Sequence, residues 1–312
     1  MFRLPQHIDF GWVLPTGKAR MPSGEGVTYL NYIQHVLKRI DGSFQSLWMP
    51  DHFMDDQAAI LEALSTLSFL AGMDPEFDFG TIVLGQSYRN PALLAKMAAT
   101  LQQLSGGRFI LGIGAGWKVD EYQAYGYDFP PASTRIAQMA EVVQIFRVMW
   151  DPSQPDATFH GEHYCIDAAV CNPKPSPPPP ILIGGGGEKL TLRAVAEHAD
   201  WWNLPGVSPA EYARKLDILA DHCAAVGRNP NEIRKTWMGV VSIAPTRSQA
   251  ETQMAGYPIW PGDTPLVGTP DDVRAQLQSY VDLGIDYFML AFADEPALEG
   301  ISLFTTEIAQ AW

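Results

Sequence analysis

In Trp48-Met49-Pro50-Asp51-His52-Phe53 a carboxylate stands next to an imidazole at the end of an apolar run. A neighbouring carboxylate can orient an imidazole or raise its pKa. The pair therefore suits proton transfer, with His52 as donor or electrostatic partner and Asp51 tuning it. A capping Asp and a packed His is the plainer alternative. Elsewhere, Ile181-Leu182-Ile183 runs into Gly184, Gly185, Gly186 and Gly187. Four glycines between a buried strand and a helix start lose much chain entropy on folding unless something approaches their backbone. Exposed N–H groups at a helix N-terminus form a natural phosphate cradle. Glu188, beside that cradle, conflicts with an anion unless its side chain points away. Gly-Lys-Ser/Thr is absent, so this is not a Walker loop.

Two further stretches carry weaker signals. Thr81 to Pro91 gathers Gln86, Tyr88 and Arg89 at a strand end, which suits a ring system with an anionic or carbonyl edge. An ordinary loop with a helix cap at Asn90 would look the same. In Gly112-Ile113-Gly114-Ala115-Gly116-Trp117 the alternate glycines allow a flat or phosphorylated ligand to approach closely, or serve close packing alone. Trp117 stands where a dinucleotide fingerprint needs glycine. His160, His163, Cys165 and Cys171 look like metal ligands by type, but their spacing is irregular, and no metal site is expected.

Each of these stretches follows a short apolar run, and such runs recur along the chain: 8–13, 44–49, 79–84, 108–114, 181–184, 200–203, 235–243 and 287–292. Amphipathic helical periods separate them. Leu30, Ile33, Leu37 and Ile40 mark the first, and Leu93, Met97, Leu101 and Leu104 the third. Ile136, Met139, Val143, Phe146 and Trp150 mark the fourth, and Tyr212, Leu216, Leu219 and Cys223 the sixth. Asn90-Pro91 predicts an N-cap, and Ser208-Pro209-Ala210-Glu211 and Thr269-Pro270-Asp271-Asp272 predict capping boxes. Eight strand–helix units predict a single α/β domain over 1–312, a (β/α)8 TIM barrel with modest insertions, with a doubly wound sheet as the main competitor. In such a barrel active sites lie where strands end, which is where the four stretches fall. Segment 151–180 breaks the rhythm. It has no helical period, could form a hairpin around Thr158–Ile166, and ends in four prolines. Since it leaves from a helix end, it is expected on the face opposite the site, as decoration.

Composition narrows the partners. Hydrophobic residues make up 46% and charged residues 18%, a globular balance. A net charge of −14 repels phosphate backbones and anionic membranes, though not one phosphate in a local pocket. No apolar stretch is long enough to span a bilayer. The opening residues, Met1 to His7, lack the order of a secretory signal, and three cysteines cannot build a disulfide framework. A cytoplasmic protein acting on a small-molecule substrate is expected.

The stretches "LWMPDHF", "GTIVLGQSYRNPALLAKMAATLQQLSGGRFILGIGAGW" and "NPKPSPPPPILIGGGGEKLTLRAVAEHAD", followed by "GTPDDVRAQLQSYVDLGIDYFMLAF", closely resemble the bacterial luciferase-like flavin and deazaflavin oxidoreductases. They are most similar to the coenzyme F420-dependent subgroup. The resemblance implies a cofactor ring in the barrel mouth, with Asp51 and His52 beside it. It implies a non-proline cis peptide at Ile82–Val83 backing the ring. Gln86 and Tyr88 would adjoin it, and Gly114, Ala115, Gly116, Trp117 and Asp120 would border the ring and its side chain. Gly184, Gly185, Gly186 and Gly187 would hold the phosphate. Where the family's deazaflavin sugar-phosphate dehydrogenases place a catalytic Glu, this chain has Trp117, and Asp120 replaces their Asn. That departure argues against a sugar phosphate. Trp117, Trp12 and Tyr88 point instead to a more apolar substrate cavity.

The expected reaction is hydride transfer between F420 and an unsaturated or carbonyl substrate. The alternatives are an FMN-dependent monooxygenase and a non-catalytic flavin-binding protein. An anionic F420 tail would call on Arg89 or Lys118. Family members often pair through barrel helices, which implies a homodimer.

Overall fold

A computed structural model describes residues 7–17, 29–56, 58–73, 76–259 and 261–312. Its strands are β1 (Asp9–Val13), β2 (Ser46–Met49), β3 (Asp78–Thr81), β4 (Leu84–Gly85), β5 (Phe109–Gly114), β6 (Ala157–His160), β7 (Cys165–Ala169), β8 (Ile181–Gly184), β9 (Trp201–Pro205), β10 (Arg234–Ile243), β11 (Leu266–Gly268) and β12 (Tyr287–Phe292). The helices are α1 (Tyr29–Ile40), α2 (Ala63–Met73), α3 (Pro91–Leu104), α4 (Val119–Ala124), α5 (Ala132–Trp150), α6 (Thr191–His198), α7 (Pro209–Val226), α8 (Arg247–Ala255), α9 (Pro270–Val281) and α10 (Glu299–Glu307). None of the described helices is long and apolar enough to cross a membrane.

Strands β1, β2, β3, β5, β8, β9, β10 and β12 pair in that order, all parallel, and β12 returns to β1. The sheet therefore closes into an eight-stranded barrel wrapped by helices. Every residue of β5 and β12 is buried, as strands covered on both faces require. The expected run 79–84 is interrupted: β3 ends at Thr81 and pairing resumes at β4, where Leu84 and Gly85 join β5.

Inside the barrel, the end nearest the strand starts is filled by Trp48, Trp201 and Tyr287. The Trp48 indole takes the space left by two glycines on the flanking strands. A Cβ on Gly11 would lie 2.4 Å from its Nε1, and one on Gly80 2.4 Å from its Cζ3. Its Nε1 donates to Ser46 Oγ at 2.7 Å, and Ser46 in turn bonds the Tyr287 hydroxyl. Arg234 closes this floor, 4.8 Å over Trp201 and 4.6 Å over Tyr287, paired with Asp9 and with Asp286.

The helix starts are capped by local chemistry. Asn90 accepts from Leu93 N, and Thr269 and Asp272 cap each other reciprocally. At Ser208 only half of the expected box forms. Its hydroxyl accepts from Glu211 N, while the Glu211 side chain turns to Arg214 and Lys215. The expected buried face of α3 is corrected by its packing. Leu93 is 57% and Leu104 81% exposed, and Leu94, Ala95, Ala98 and Gln102 face inward instead. Leu101 is buried as expected, and the alanines beside it let the helix approach the sheet while Leu93 and Leu104 face outward.

Segment 151–180 forms an antiparallel hairpin from β6 and β7. It does not stay on the far face. Glu141, midway along α5, accepts the backbone N–H groups of Glu162, His163 and Tyr164. Held there on the barrel flank, the hairpin lets the Tyr164 hydroxyl donate to Gln86 Oε1 at 3.0 Å, in the turn after β4.

Candidate active site

At the strand C-termini lies a cavity of about 610 Å3, in the range of small-molecule sites. Of the residues singled out from sequence, Asp51, His52, Ile82, Val83, Tyr88, Gly114, Ala115, Gly116, Trp117, Gly184 and Gly185 line it. Gln86, Asp120, Gly186 and Gly187 do not. Gln86 is buried and spends its amide on Gln138, Ser87 and Tyr164. Asp120 faces solvent, because the phase of α4 turns its neighbour Glu121 inward instead. Trp12 also lies outside the cavity. It is fully buried and donates to Glu295.

The Ile82–Val83 peptide is cis. Glycines of β5 and β8 make room for the segment around it. A Cβ on Gly112 would sit 1.8 Å from Thr81 O, one on Gly114 2.7 Å from Val83 Cγ2, and one on Gly184 3.0 Å from Val83 Cγ1. For Gly112 and Gly114, then, it is a neighbouring protein segment that takes the missing side chain's place.

The Asp51–His52 pairing expected from their adjacency does not form. Asp51 accepts both terminal nitrogens of Arg89, at 2.8 and 2.9 Å, and the Gly85 N–H at 2.9 Å. It thus anchors the turn that follows the cis peptide. Successive residues point in different directions, so the carboxylate that reaches His52 comes from elsewhere. Glu121 accepts from His52 Nδ1 at 3.1 Å, from Phe53 N at 3.1 Å, Met54 N at 3.3 Å, Tyr88 Oη at 3.2 Å and Lys118 Nζ at 3.0 Å. Its side chain is fully buried. Burial alone would raise its carboxyl, but hydrogen bonds and charge from His52 and Lys118 outweigh this and hold it down to about 2. Glu121 is therefore an anion at neutral pH. Burial, reinforced by that charge, pushes the Tyr88 phenol far above its ordinary value, so its hydroxyl stays protonated. Trp117 is 54% exposed and sets its ring edge-on to His52, with centroids 5.7 Å apart. The two cations considered for an anionic tail are both engaged, Arg89 with Asp51 and Glu62, and Lys118 with Met54 O and Glu121.

On the opposite side, the glycine loop bends at Gly185, whose φ of +120° only glycine adopts readily. The carbonyls of Gly185, Gly186 and Gly187 accept from Trp202 Nε1, Lys215 Nζ and Leu192 N. The Gly185 N–H is itself bonded to Asn203 O of β9, so the amides the loop can offer an anion begin at Gly186 and run toward the N-terminus of α6. The Glu188 side chain points away, to Arg214 at 2.6 Å and Lys215 at 2.9 Å, and the conflict foreseen at the cradle is removed.

Several lining residues escaped the sequence. Asn203 lies midway along β9, Met238 and Val240 lie on β10, and Tyr257 to Ile259 with Asp263 to Pro265 roof the cavity. Strand alternation could have pointed to Asn203 and Met238, but no local pattern marks the roof.

Among known proteins, the family model for luciferase-like monooxygenase matches residues 8–265. A phthiodiolone/phenolphthiodiolone dimycocerosates ketoreductase from Mycobacterium sp. (strain JLS) is 28% identical over 75% of this chain and 65% of its own length. An F420-dependent glucose-6-phosphate dehydrogenase from Kineococcus radiotolerans is 33% identical over 61% of this chain and 57% of its own length. The chain thus spans about three fifths of these curated relatives. In fold it is similar to an F420-dependent secondary alcohol dehydrogenase, solved with an F420-acetone adduct (TM-score 0.80, 18% identity, covering 97% of this chain and 98% of that one). Both F420-dependent dehydrogenases and FMN-dependent monooxygenases occur among the relatives. A parallel barrel whose mouth joins a glycine loop to a histidine backed by a buried glutamate, matched over most of its length, belongs to the luciferase-like monooxygenase family of oxidoreductases.

Proposed function

We propose that this protein transfers a hydride between coenzyme F420, held at the barrel mouth, and an uncharged, largely apolar carbonyl or unsaturated substrate. The observation that carries it is the placement of His52, backed by the Glu121 anion, in the same cavity as the Gly184–Gly185 turn. The fit to such a cofactor rests on that turn. Its carbonyls are occupied and Gly185 is in a glycine-only conformation, which leaves backbone amides at the start of α6 for a phosphate. Gly184, Gly185, Gly186 and Gly187 would hold the phosphate, and Ile82, Val83, Gly114 and Ala115 would back the ring. When bound, a deazaflavin supplies a hydride, whereas reduced FMN can also activate oxygen. His52 would exchange the proton that accompanies the hydride, and Trp117, Met238, Val240 and Ile259 would exclude water from an apolar substrate.

A second possibility, FMN-dependent monooxygenation, is favoured by one observation: Arg89 and Lys118 are already paired and offer little to an anionic tail. Fluorescence titration with F420 and with FMN, each oxidised and reduced, separates the two. Preferential F420 binding supports the deazaflavin role. Preferential binding of reduced FMN, with oxygen uptake, supports the monooxygenase. Binding of neither removes both. A homodimer is part of the same proposal, supported by the exposed Phe69 of α2 and Leu93 and Leu104 of α3. Sedimentation would read it.

A further inference from the structure

We propose that Glu121 is a positioning residue that holds His52 in its Nδ1–H tautomer, leaving Nε2 as the ring atom that exchanges a proton in the cavity. That catalytic use rests on the cofactor role above, whereas the tautomer itself does not. The geometry of the carboxylate leaves little choice. Oε1 receives Phe53 N, Met54 N and Lys118 Nζ, while Oε2 receives Tyr88 Oη. His52 Nδ1 sits between the two oxygens, at 3.1 and 3.2 Å. Every one of these partners is a donor, and an ionised carboxylate is an acceptor only. A neutral imidazole must therefore carry its proton on Nδ1, which leaves Nε2, on the far edge of the ring, with a free lone pair. His52 lines the cavity, and the edge of Trp117 restrains the ring. Were the substrate an alcohol, its carbon would give a hydride to the cofactor and its hydroxyl a proton to Nε2. Carbonyl reduction is the reverse.

The charged groups around His52 do not undo this. Asp51 is satisfied by Arg89, Asp120 lies on the solvent side of Lys118, and Lys118 itself donates to Glu121.

The structure makes Glu121→Gln an unusually pointed test. Two backbone N–H groups and Lys118 require an oxygen at the Oε1 position, so the amide nitrogen must take the Oε2 position, facing Tyr88 and His52. There it becomes a donor 3.2 Å from Nδ1 in place of one of the two acceptors that hold the Nδ1 proton, while Oε1 stays at 3.1 Å, so the balance moves toward Nε2–H. The experiment is 15N-edited NMR of the cofactor-free full chain, with pH raised until the imidazole 15N shifts stop changing. The wild type is expected to show a protonated Nδ1 and a bare Nε2. Glu121→Gln is expected to raise the Nε2–H population, and Tyr88→Phe to keep the pattern of the wild type. A wild type with its proton on Nε2 overturns the proposal, and so does a folded Glu121→Gln whose Nε2–H population equals that of the wild type. If that variant does not fold, the wild-type spectrum still decides. Because no cofactor is present, failure here leaves the cofactor titration standing, and failure of the titration leaves the tautomer standing.

Discussion

The two ends of the barrel interior treat charge in opposite ways. At the floor, Arg234 is paired with Asp9 and Asp286 and covered by Trp201 and Tyr287, while the polar atoms of Ser46, Trp48 and Tyr287 bond one another. Every group there is answered by another group of the floor. At the mouth, Glu121 is answered by five donors, but one of them, His52, has a second nitrogen with no hydrogen-bond partner among the described residues. Beyond Gly185, whose N–H is bonded to Asn203 O of β9, the glycine loop brings further backbone amides to the start of α6. A closed network gives stability. A network with an open edge can act on something else.

This contrast can be broken from either end. The largest expected effect is at the floor: Trp48→Ala should cost about 3–5 kcal/mol of unfolding free energy, read by urea denaturation. At the mouth, His52→Ala should leave stability nearly unchanged while lowering turnover about 100-fold with cofactor binding retained. Wild-type turnover in that variant would remove His52 from the chemistry. Asp51→Asn, although it lines the cavity, should behave like a floor mutation. It leaves Arg89 short of one charge and should cost about 1–2 kcal/mol, with the pH profile of turnover unmoved. A displaced profile would restore Asp51 as the tuner of His52.

A smaller effect lies in acid. The folded Glu121 carboxyl sits at about 2, below its ordinary 4.5, so its contribution to stability is complete above 4.5 and is lost as pH falls toward 2. Urea midpoints over that window should fall more steeply for the wild type than for Glu121→Gln. The smallest effect is expected for Glu188→Gln. It removes one of the two carboxylates that neutralise Arg214 and Lys215 beside the glycine loop, leaving Glu211, and should tighten phosphate binding only a few-fold, as measured by calorimetry.

The floor and the mouth also differed in how far they could be foreseen. The barrel was legible because each strand is a local apolar run, and β8 and β12 fall where their runs do. The glycine loop was legible for the same local reason. What adjacency suggested at Asp51–His52 failed, because side-chain direction alternates along the chain and the true partner, Glu121, lies 69 residues away. Choosing Glu121 over Asp120 depends on the phase of α4, a helix of six residues, too short for a period to show. Phase also misled in part at α3, where Leu101 is buried as expected but Leu93 and Leu104 give way to Leu94 and the alanines.

The fit of Trp48 between Gly11 and Gly80 has a consequence for assembly. Parallel strands that alternate in and out can slip by two residues and still bury their apolar faces. Here such a slip of β2 against β3 would carry the indole from Gly80 to Asp78 or Ile82, where a side chain already stands. The tryptophan and its glycines thus work as a key and its notches, letting the barrel close in one alignment and jamming in its nearest neighbours.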